Sequence, residues 1–219
     1  MPDSSLLLSD EEWLDLESMG RQRAYRKGQV IFREGQPGGT VLAIRSGVVK
    51  ISVVTPTGRD ILLAVKEPGS LVGELAAIDG RPRSATATAL DGVRAIGLSD
   101  GAFGEFLDRH PRMALRLLRT LADQIREAAT RTADRDTGDT TSRVARRLVM
   151  LAERYGEYNG PVVEVNLPIT QEDLAGWVGA TREATSRSLG RLRELGCLRT
   201  SRQRIVVLDV PTLRGVAAV

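Results

Sequence analysis

The stretch GELAAIDGRPRSATATA, residues 73–89, is mostly small and apolar, yet it carries Glu74 and Arg83 at positions predicted to be buried. Burying an unpaired charge is unfavourable by several kcal/mol, so each of these side chains needs a partner. One solution is an ion pair between Glu74 and Arg83 across a β-barrel. The other is a bound guest that satisfies both groups, and the sequence leaves the two solutions open.

The residues around the two charges favour a guest that contains a phosphate and a sugar. If LVGELAAI passes from a strand into a helical turn at Gly73, the first amides of that turn face outward with a partial positive charge. Arg83 adds a full positive charge and planar donors, and Ser84 adds a hydroxyl. Ionised Glu74 only accepts hydrogen bonds, which suits a sugar hydroxyl.

The segments on both sides of this stretch have a strand pattern. Short alternating or β-branched runs extend from Gln29 to Ser99, and turns that contain glycine separate them. This pattern predicts an antiparallel β-roll, or jelly roll, as the first domain, residues 1–110. A short helix capped by Asp10 is predicted before it, over residues 10–19.

A long helix is predicted after the β-roll, from Pro111 to about Ala133, with a length of about 35 Å. Together with a hinge at Thr137 and Gly138 it forms the second predicted segment, residues 111–138. The helix carries an apolar stripe that either pairs with a second copy of the chain or packs on the β-roll. The stripe consists of Leu115, Leu118, Ala122, Ile125 and Ala129.

The third predicted domain, residues 139–219, has the element order of a winged helix-turn-helix: helix, strand, helix, tight turn, helix and hairpin. Thr170 and Asp173 have the spacing of a capping box at the start of the first helix of the motif. Gly179 is predicted to end that helix and Thr181 to cap the next.

The second helix of this motif has an apolar and a polar face. Three leucines are predicted to face the core: Leu189, Leu192 and Leu195. Four side chains near the start of the helix are predicted to face outward: Arg182, Glu183, Ser186 and Arg187.

This end of the second helix is the part that enters the major groove of DNA in helix-turn-helix proteins. Arginine can donate two hydrogen bonds to guanine, and glutamate can accept one from cytosine. Residues 143–219 carry 12 Lys and Arg against 8 Asp and Glu, which favours a polyanionic partner. The predicted contact set also includes Thr170, Gln171 and Thr181, with Arg202 in the wing, where Arg204 adds a further positive charge.

Composition excludes several classes of protein. The sequence has no run of about 18 apolar residues and its first residues are acidic, so we expect no membrane span, no secretory signal and a cytoplasmic location. Cys197 and His110 are the single cysteine and histidine, which excludes an internal disulfide and Cys- or His-rich metal centres. No Ser-His-Asp set or nucleotide triphosphate loop is found, so an enzyme is not expected. Trp177 and Cys197 are predicted core residues.

From about residue 20 onward the chain resembles the cyclic-AMP receptor protein and fumarate–nitrate regulator (CRP/FNR) superfamily of bacterial transcription factors. GELAAIDGRPRSATATA resembles its phosphate-binding cassette, and ITQEDLAGWVGATREATSRSLGRL resembles its helix-turn-helix. The resemblance implies that Glu74 binds the ribose 2′-hydroxyl and that Arg83 and Ser84 bind the cyclic phosphate. It implies a pocket completed by Gly73, Leu75 and Ala85 of the cassette and by apolar walls from Ile51, Leu63 and Val72.

Two departures from the family pattern concern the effector. Members that bind cyclic AMP read the adenine amino group with a Thr-Ser pair on the long helix, where this sequence has Ala128 and Ala129. Thr130 or Thr132 could substitute only after a rotation of about 100° or more about the helix axis. Gly138 at the hinge disfavours helix by about 1 kcal/mol and predicts a looser link between domains.

The expected function is a ligand-responsive, homodimeric regulator that binds palindromic DNA, contacts RNA polymerase and dimerises through residues 111–138. Its expected effector is a cyclic nucleotide, most simply cyclic AMP, with no metal or covalent cofactor. An alternative is the same regulator with a vestigial or altered pocket, active without ligand or responsive to another phosphorylated metabolite. A third possibility is a cyclic-nucleotide-binding regulatory protein without DNA specificity.

Overall fold

The computed structural model describes residues 8–56, 58–137, 139–201 and 204–218, with side chains left undescribed at 127 and 130–137. The chain forms two compact units, one of Ser4–Asp123 and the other containing Gln124–Val219. The division falls inside the long helix.

The first unit contains eight strands, three helices and the first part of a fourth helix. In chain order the elements are α1 (Asp10–Met19), β1 (Arg21–Tyr25), β2 (Val30–Phe32), β3 (Val41–Ser46), β4 (Val49–Val54), β5 (Asp60–Lys66), β6 (Leu71–Val72), α2 (Glu74–Asp79), β7 (Thr86–Ala89), β8 (Val93–Leu98), α3 (Asp100–Arg109) and α4 (Pro111–Thr137).

These strands form two antiparallel four-stranded sheets, in the orders β1-β8-β3-β6 and β2-β7-β4-β5. Strand β3 shows how the layers are built, because its side chains alternate between two apolar clusters. Leu42 and Ile44 lie in a cluster with residues from both sheets. Val41 and Ala43 lie in a second cluster with side chains of α1, α3 and α4. The predicted α+β class with an antiparallel β-roll is therefore confirmed.

Helix α1 lies where the sequence predicts it, but its cap is Ser9 and not Asp10. The Ser9 hydroxyl accepts from the Glu12 amide at 3.2 Å, and the Glu12 carboxylate accepts from the Ser9 amide at 2.8 Å. Ser9 has the extended backbone that a cap requires, whereas Asp10 is already helical. Glu12 also pairs with Arg116, which ties α1 to the first turns of α4.

The second unit has the predicted winged helix-turn-helix. After the end of α4 its elements are α5 (Thr140–Tyr155), β9 (Gly156–Asn159), β10 (Val162–Val165), α6 (Gln171–Val178), α7 (Arg182–Glu194), β11 (Leu198–Ser201), β12 (Arg204–Val207) and α8 (Val210–Ala217). Its strands form one antiparallel sheet in the order β11-β12-β10-β9. The sequence pattern does not predict β1, α3, β9 or α8. No helix in the described ranges is long and apolar enough to cross a bilayer.

Candidate functional site

Arg83 lies just before β7 with only 6% of its surface exposed. Its Nη1 donates to the Gly73 carbonyl at 2.8 Å and its Nη2 to the Thr40 carbonyl at 2.7 Å. The guanidinium carbon lies 4.3 Å from the centroid of the Phe32 ring. The Nε–H group is buried and has no hydrogen-bond partner among the described residues. Arg83 is therefore held in place and keeps unused donors.

Burial is the main influence on the Arg83 guanidinium and lowers its pKa, while the carboxylates of Asp100 and Glu74 oppose that shift. An arginine side chain nevertheless stays protonated in proteins. The site thus holds a full positive charge with reduced access to water, and it can bind an anion strongly.

Gly73 makes this placement of Arg83 possible. Its backbone has a φ of 87°, in the left-handed region that side chains disfavour. A Cβ atom at this position would lie 2.4 Å from Nη1 of Arg83 and 3.1 Å from the Thr40 carbonyl oxygen. Residue 73 therefore has to be glycine for both conformational and steric reasons.

Glu74 is the first residue of α2, and its surface is 6% exposed. Its ion-pair partner among the described residues is Lys66, not Arg83: Nζ of Lys66 lies 3.8 Å from Oε1 of Glu74. Lys66 is the last residue of β5 and is 8% exposed. The direct ion pair between Glu74 and Arg83 that the sequence left open is thus not formed.

The other predicted pocket residues differ in how deeply they are buried. Val72 is buried, and Ile51 packs against the same apolar cluster. Leu63 is half-buried at a bulge in β5, because Ile51 pairs with Ala64 while Ser52 pairs with Leu62. In the cassette Ala85 is buried, whereas Leu75 and Ser84 are exposed.

The two helices of the helix-turn-helix begin and end as predicted. The Thr170 hydroxyl accepts from the Asp173 amide at 3.1 Å, and the Asp173 carboxylate accepts from the Thr170 amide at 2.9 Å. Gly179 ends α6 with a left-handed φ of 67°. Thr181 caps α7 by accepting from the Ala184 amide at 3.2 Å. Local hydrogen bonds therefore fix the start of both helices.

The faces of α7 agree with the prediction except at one leucine. Leu189 and Leu192 are buried, but Leu195 is 52% exposed. A step of three residues advances about 300° around a helix, so each leucine lies about 60° behind the previous one and the third leaves the core. The predicted outward side chains are all exposed: Arg182, Glu183, Ser186 and Arg187.

Glu183 is held in its ionised form. A hydrogen bond with its own backbone, a hydrogen bond with the Thr181 side chain, and the charges of Arg182 and Arg187 lower the pKa of Glu183. An ionised carboxylate accepts hydrogen bonds, as contact with a cytosine amino group would require.

The remaining predicted DNA contacts are placed less uniformly. Gln171 is exposed at the first position of α6. Thr170 is also exposed, but its hydroxyl donates to Asp173 at 2.7 Å and is engaged in the cap. Arg204 pairs with Glu164 on the neighbouring strand β10. Arg202 lies outside the described residues.

The long helix α4 has two apolar faces in its first half. Met113 and Leu117 are buried in the cluster formed with α1 and α3. Leu115, Leu118 and Ile125 are exposed, with 71% exposure at Ile125. Leu115 and Leu118 therefore do not pack on the β-roll, because Met113 and Leu117 point the opposite way around the helix.

Further along α4, Ala128 and Ala129 are both exposed. The side chains of Thr130 and Thr132, the suggested substitutes for the adenine contact, lie outside the described ones, as does Gly138 of the hinge.

Trp177 and Cys197 are core residues, as predicted. Trp177 is buried, and the guanidinium carbon of Arg147 lies 4.4 Å from the centroid of its ring. Burial, with the neighbouring Asp209, raises the pKa of the Cys197 thiol. Within the described ranges, no group of three or more His, Cys, Asp or Glu side chains is arranged to hold a metal ion.

Comparison with known proteins matches a known domain family to each of the two units. A sequence model of the cyclic nucleotide-binding domain matches residues 22–110, and one of the Crp-like helix-turn-helix domain matches residues 142–216. A relative from Mycobacterium tuberculosis, the CRP-like cAMP-activated global transcriptional regulator, is 34% identical over 185 residues, which cover 84% of this chain and 83% of the relative. The chain belongs to the CRP/FNR family.

Solved structures of other CRP/FNR regulators have the same fold. A CRP/FNR family transcriptional regulator from Thermus thermophilus matches with a TM-score of 0.72 and 27% identity over 91% of this chain and 99% of that one. A c-di-GMP responsive global regulator from Xanthomonas campestris matches with a TM-score of 0.77 over the same shares, at 20% identity, and shows the fold alone. This CRP/FNR protein is thus a DNA-binding transcription regulator with a cyclic nucleotide-binding domain.

Proposed function

We propose that this CRP/FNR regulator binds a palindromic DNA site as a homodimer and that a cyclic nucleotide, most simply cyclic AMP, controls this binding. The observation that carries the ligand part is the buried guanidinium of Arg83, whose Nε–H has no partner among the described residues. The name of the M. tuberculosis relative, a cAMP-activated regulator, supports the same effector.

The Arg83 guanidinium fits a guest with a negative charge. The carboxylates of Asp100 and Glu74 act on it from nearby, but neither forms an ion pair with it among the described residues. A cyclic phosphodiester carries a single negative charge and can accept from the unused Nε–H of Arg83. Charge-assisted hydrogen bonds to phosphate oxygens are strong where water has limited access.

The exposed stripe on α4 supports the homodimer. Contiguous exposed apolar side chains on a helix usually mark an interaction surface, and parallel helices pair through such stripes. In this proposal residues 1–110 sense the ligand, residues 111–138 form the dimer helix and hinge, and residues 139–219 bind DNA. Half-sites of the target would lie about 34 Å apart, one turn of DNA.

The proposed cellular location and the proposed contact with RNA polymerase both follow from DNA as the partner. The regulator would act in the bacterial cytoplasm, on the chromosome, and change transcription through contact with RNA polymerase. A second function, regulation with an altered pocket, is favoured by Ala128 and Ala129, since neither side chain can hydrogen-bond an adenine.

Calorimetric titration with cyclic AMP, cyclic GMP and cyclic di-GMP separates these two functions. We expect saturable heat with cyclic AMP, because the buried Nε–H of Arg83, which has no partner in the described chain, can donate to a phosphate. Flat heats with all three nucleotides would favour the altered pocket.

Arg182→Ala and Arg187→Ala test the DNA-binding surface. Each change is expected to relax base preference at one position of each half-site, at a loss of about 1–3 kcal/mol, because one set of base contacts disappears. The measurement is selection from random duplexes, followed by titration of matched and mismatched sites. Arg193→Ala is the control, since Arg193 lies near the other end of α7 and donates to Thr200.

The wild-type selection should return a twofold site. A selected site without twofold symmetry would contradict the homodimer, and full discrimination by Arg187→Ala would contradict the placement of α7 in the groove.

A further inference from the structure

Lys66 and Glu74 form an unusual pair. Both side chains are at least nine-tenths buried, yet their charged atoms lie 3.8 Å apart, which is too long for a hydrogen bond. In the described part of the chain neither charged group donates or accepts a hydrogen bond. The ammonium N–H groups and the carboxylate lone pairs therefore lie side by side without a hydrogen-bond partner in that part of the chain, and the charged atoms keep some contact with solvent.

This arrangement leaves both charged groups open to a guest. Two buried charges are stabilised by their mutual attraction only when further hydrogen bonds satisfy their remaining donors and acceptors. A hydroxyl group supplies both functions at once, since it accepts one hydrogen bond and donates another. Nζ of Lys66 and Oε1 of Glu74 lie 3.8 Å apart, so one oxygen atom can lie about 2.8 Å from each of them without any movement of either side chain.

We propose that Lys66 and Glu74 together bind one sugar hydroxyl of the effector, which accepts from the Lys66 ammonium and donates to the Glu74 carboxylate. This inference rests on the proposed function, in which the effector contains a ribose. It makes Lys66 a specificity-determining residue that selects a ribonucleotide over its 2′-deoxy form.

The chemistry of lysine suits this role. An ammonium is a compact charge whose donors rotate freely, so it can lie beside Glu74 without occupying both carboxylate oxygens. An arginine at this position would match the carboxylate with two parallel hydrogen bonds and would compete with the hydroxyl.

The test compares Lys66→Met with the wild-type protein by calorimetric titration. The probes are cyclic AMP and cyclic GMP, each with its 2′-deoxy analogue. We expect the wild-type protein to prefer the ribonucleotide, and Lys66→Met to reduce that preference about tenfold or more, as the loss of a hydrogen bond to a charged group predicts. Lys50→Met, which removes the lysine of the Lys50–Asp60 pair in the same sheet, should leave the preference unchanged.

Lys66→Gln provides a second variant if Lys66→Met does not fold, as judged by its thermal melt. It keeps an N–H donor but loses the charge, so the preference should fall by less than in Lys66→Met.

The possible results distinguish this inference from the proposed function. One result is that the wild-type protein binds the ribonucleotide more tightly than its 2′-deoxy analogue while both Lys66 variants keep that preference. In that case Lys66 does not contact the hydroxyl, but the proposed effector is still supported. Equal loss of affinity for both forms of the nucleotide would also contradict the inference, because it indicates general damage to the pocket. If the wild-type protein binds neither ribonucleotide, the proposed effector is wrong and the inference falls with it.

Discussion

Arg83→Leu is expected to lower the affinity for a cyclic nucleotide by at least about a hundredfold. The guanidinium is a buried cation whose Nε–H has no partner in the described chain, and the loss of two charge-assisted hydrogen bonds to a phosphate has an effect of this size. Calorimetric titration measures the affinity directly. Basal DNA binding, measured without nucleotide, should remain, while stimulation by the nucleotide should disappear.

The control is Arg81→Leu, two residues earlier in the same turn. Arg81 is exposed, and its partner is Asp79 at 3.9 Å, so its removal should leave nucleotide affinity unchanged. Arg83→Leu also frees the carbonyls of Gly73 and Thr40, and a loss of stability of about 1–3 kcal/mol should appear in a thermal melt. Nucleotide affinity within about threefold of wild type, in a folded Arg83→Leu protein, would refute the proposed phosphate contact.

A double change of Leu118→Glu and Ile125→Glu on α4 is expected to convert the proposed homodimer into monomers. Twofold symmetry would place four carboxylates in the apolar seam, and burying unpaired charges is strongly unfavourable. Affinity for a palindromic site should then fall by at least about a hundredfold, because the two half-sites would no longer be bound together. Light scattering coupled to gel filtration measures the mass, and fluorescence anisotropy measures DNA affinity.

The fold of each protomer should survive the double change, since both side chains are exposed. Leu14→Glu is the matched control, because Leu14 is an equally exposed leucine on α1 that lies outside the stripe. A double variant that stays dimeric and binds the palindrome with unchanged affinity would show that the dimer forms through another surface.

The sequence predicts those features of this protein that depend on neighbouring residues. The capping box of Thr170 and Asp173 needs a spacing of three residues, and the structure shows it. The left-handed turn at Gly179 and the N-terminal cap of α7 by Thr181 are equally local. The family motifs then fix the order of the two units, which the comparisons confirm.

Features that depend on distant contacts could not be predicted in this way. Thr40 contacts Arg83 across 43 positions of sequence, and no period or cap marks it. Lys66 is buried at the last position of β5, beside Glu74 at the start of α2, and the apolar pattern of the strand gives no reason to place a lysine there. Strand β1 is exposed and rich in arginine, so it lacks the apolar alternation that marks a strand.

The contacts of Arg83 with two carbonyls and the Phe32 ring have a kinetic consequence. These contacts fix the rotamer of the Arg83 side chain before a ligand binds. Ligand binding therefore does not include the cost of ordering this side chain, which is about 0.5–1.5 kcal/mol. Entry of different nucleotides should then occur at similar speed. Selectivity should reside in how long each one remains bound, a quantity that stopped-flow displacement can resolve.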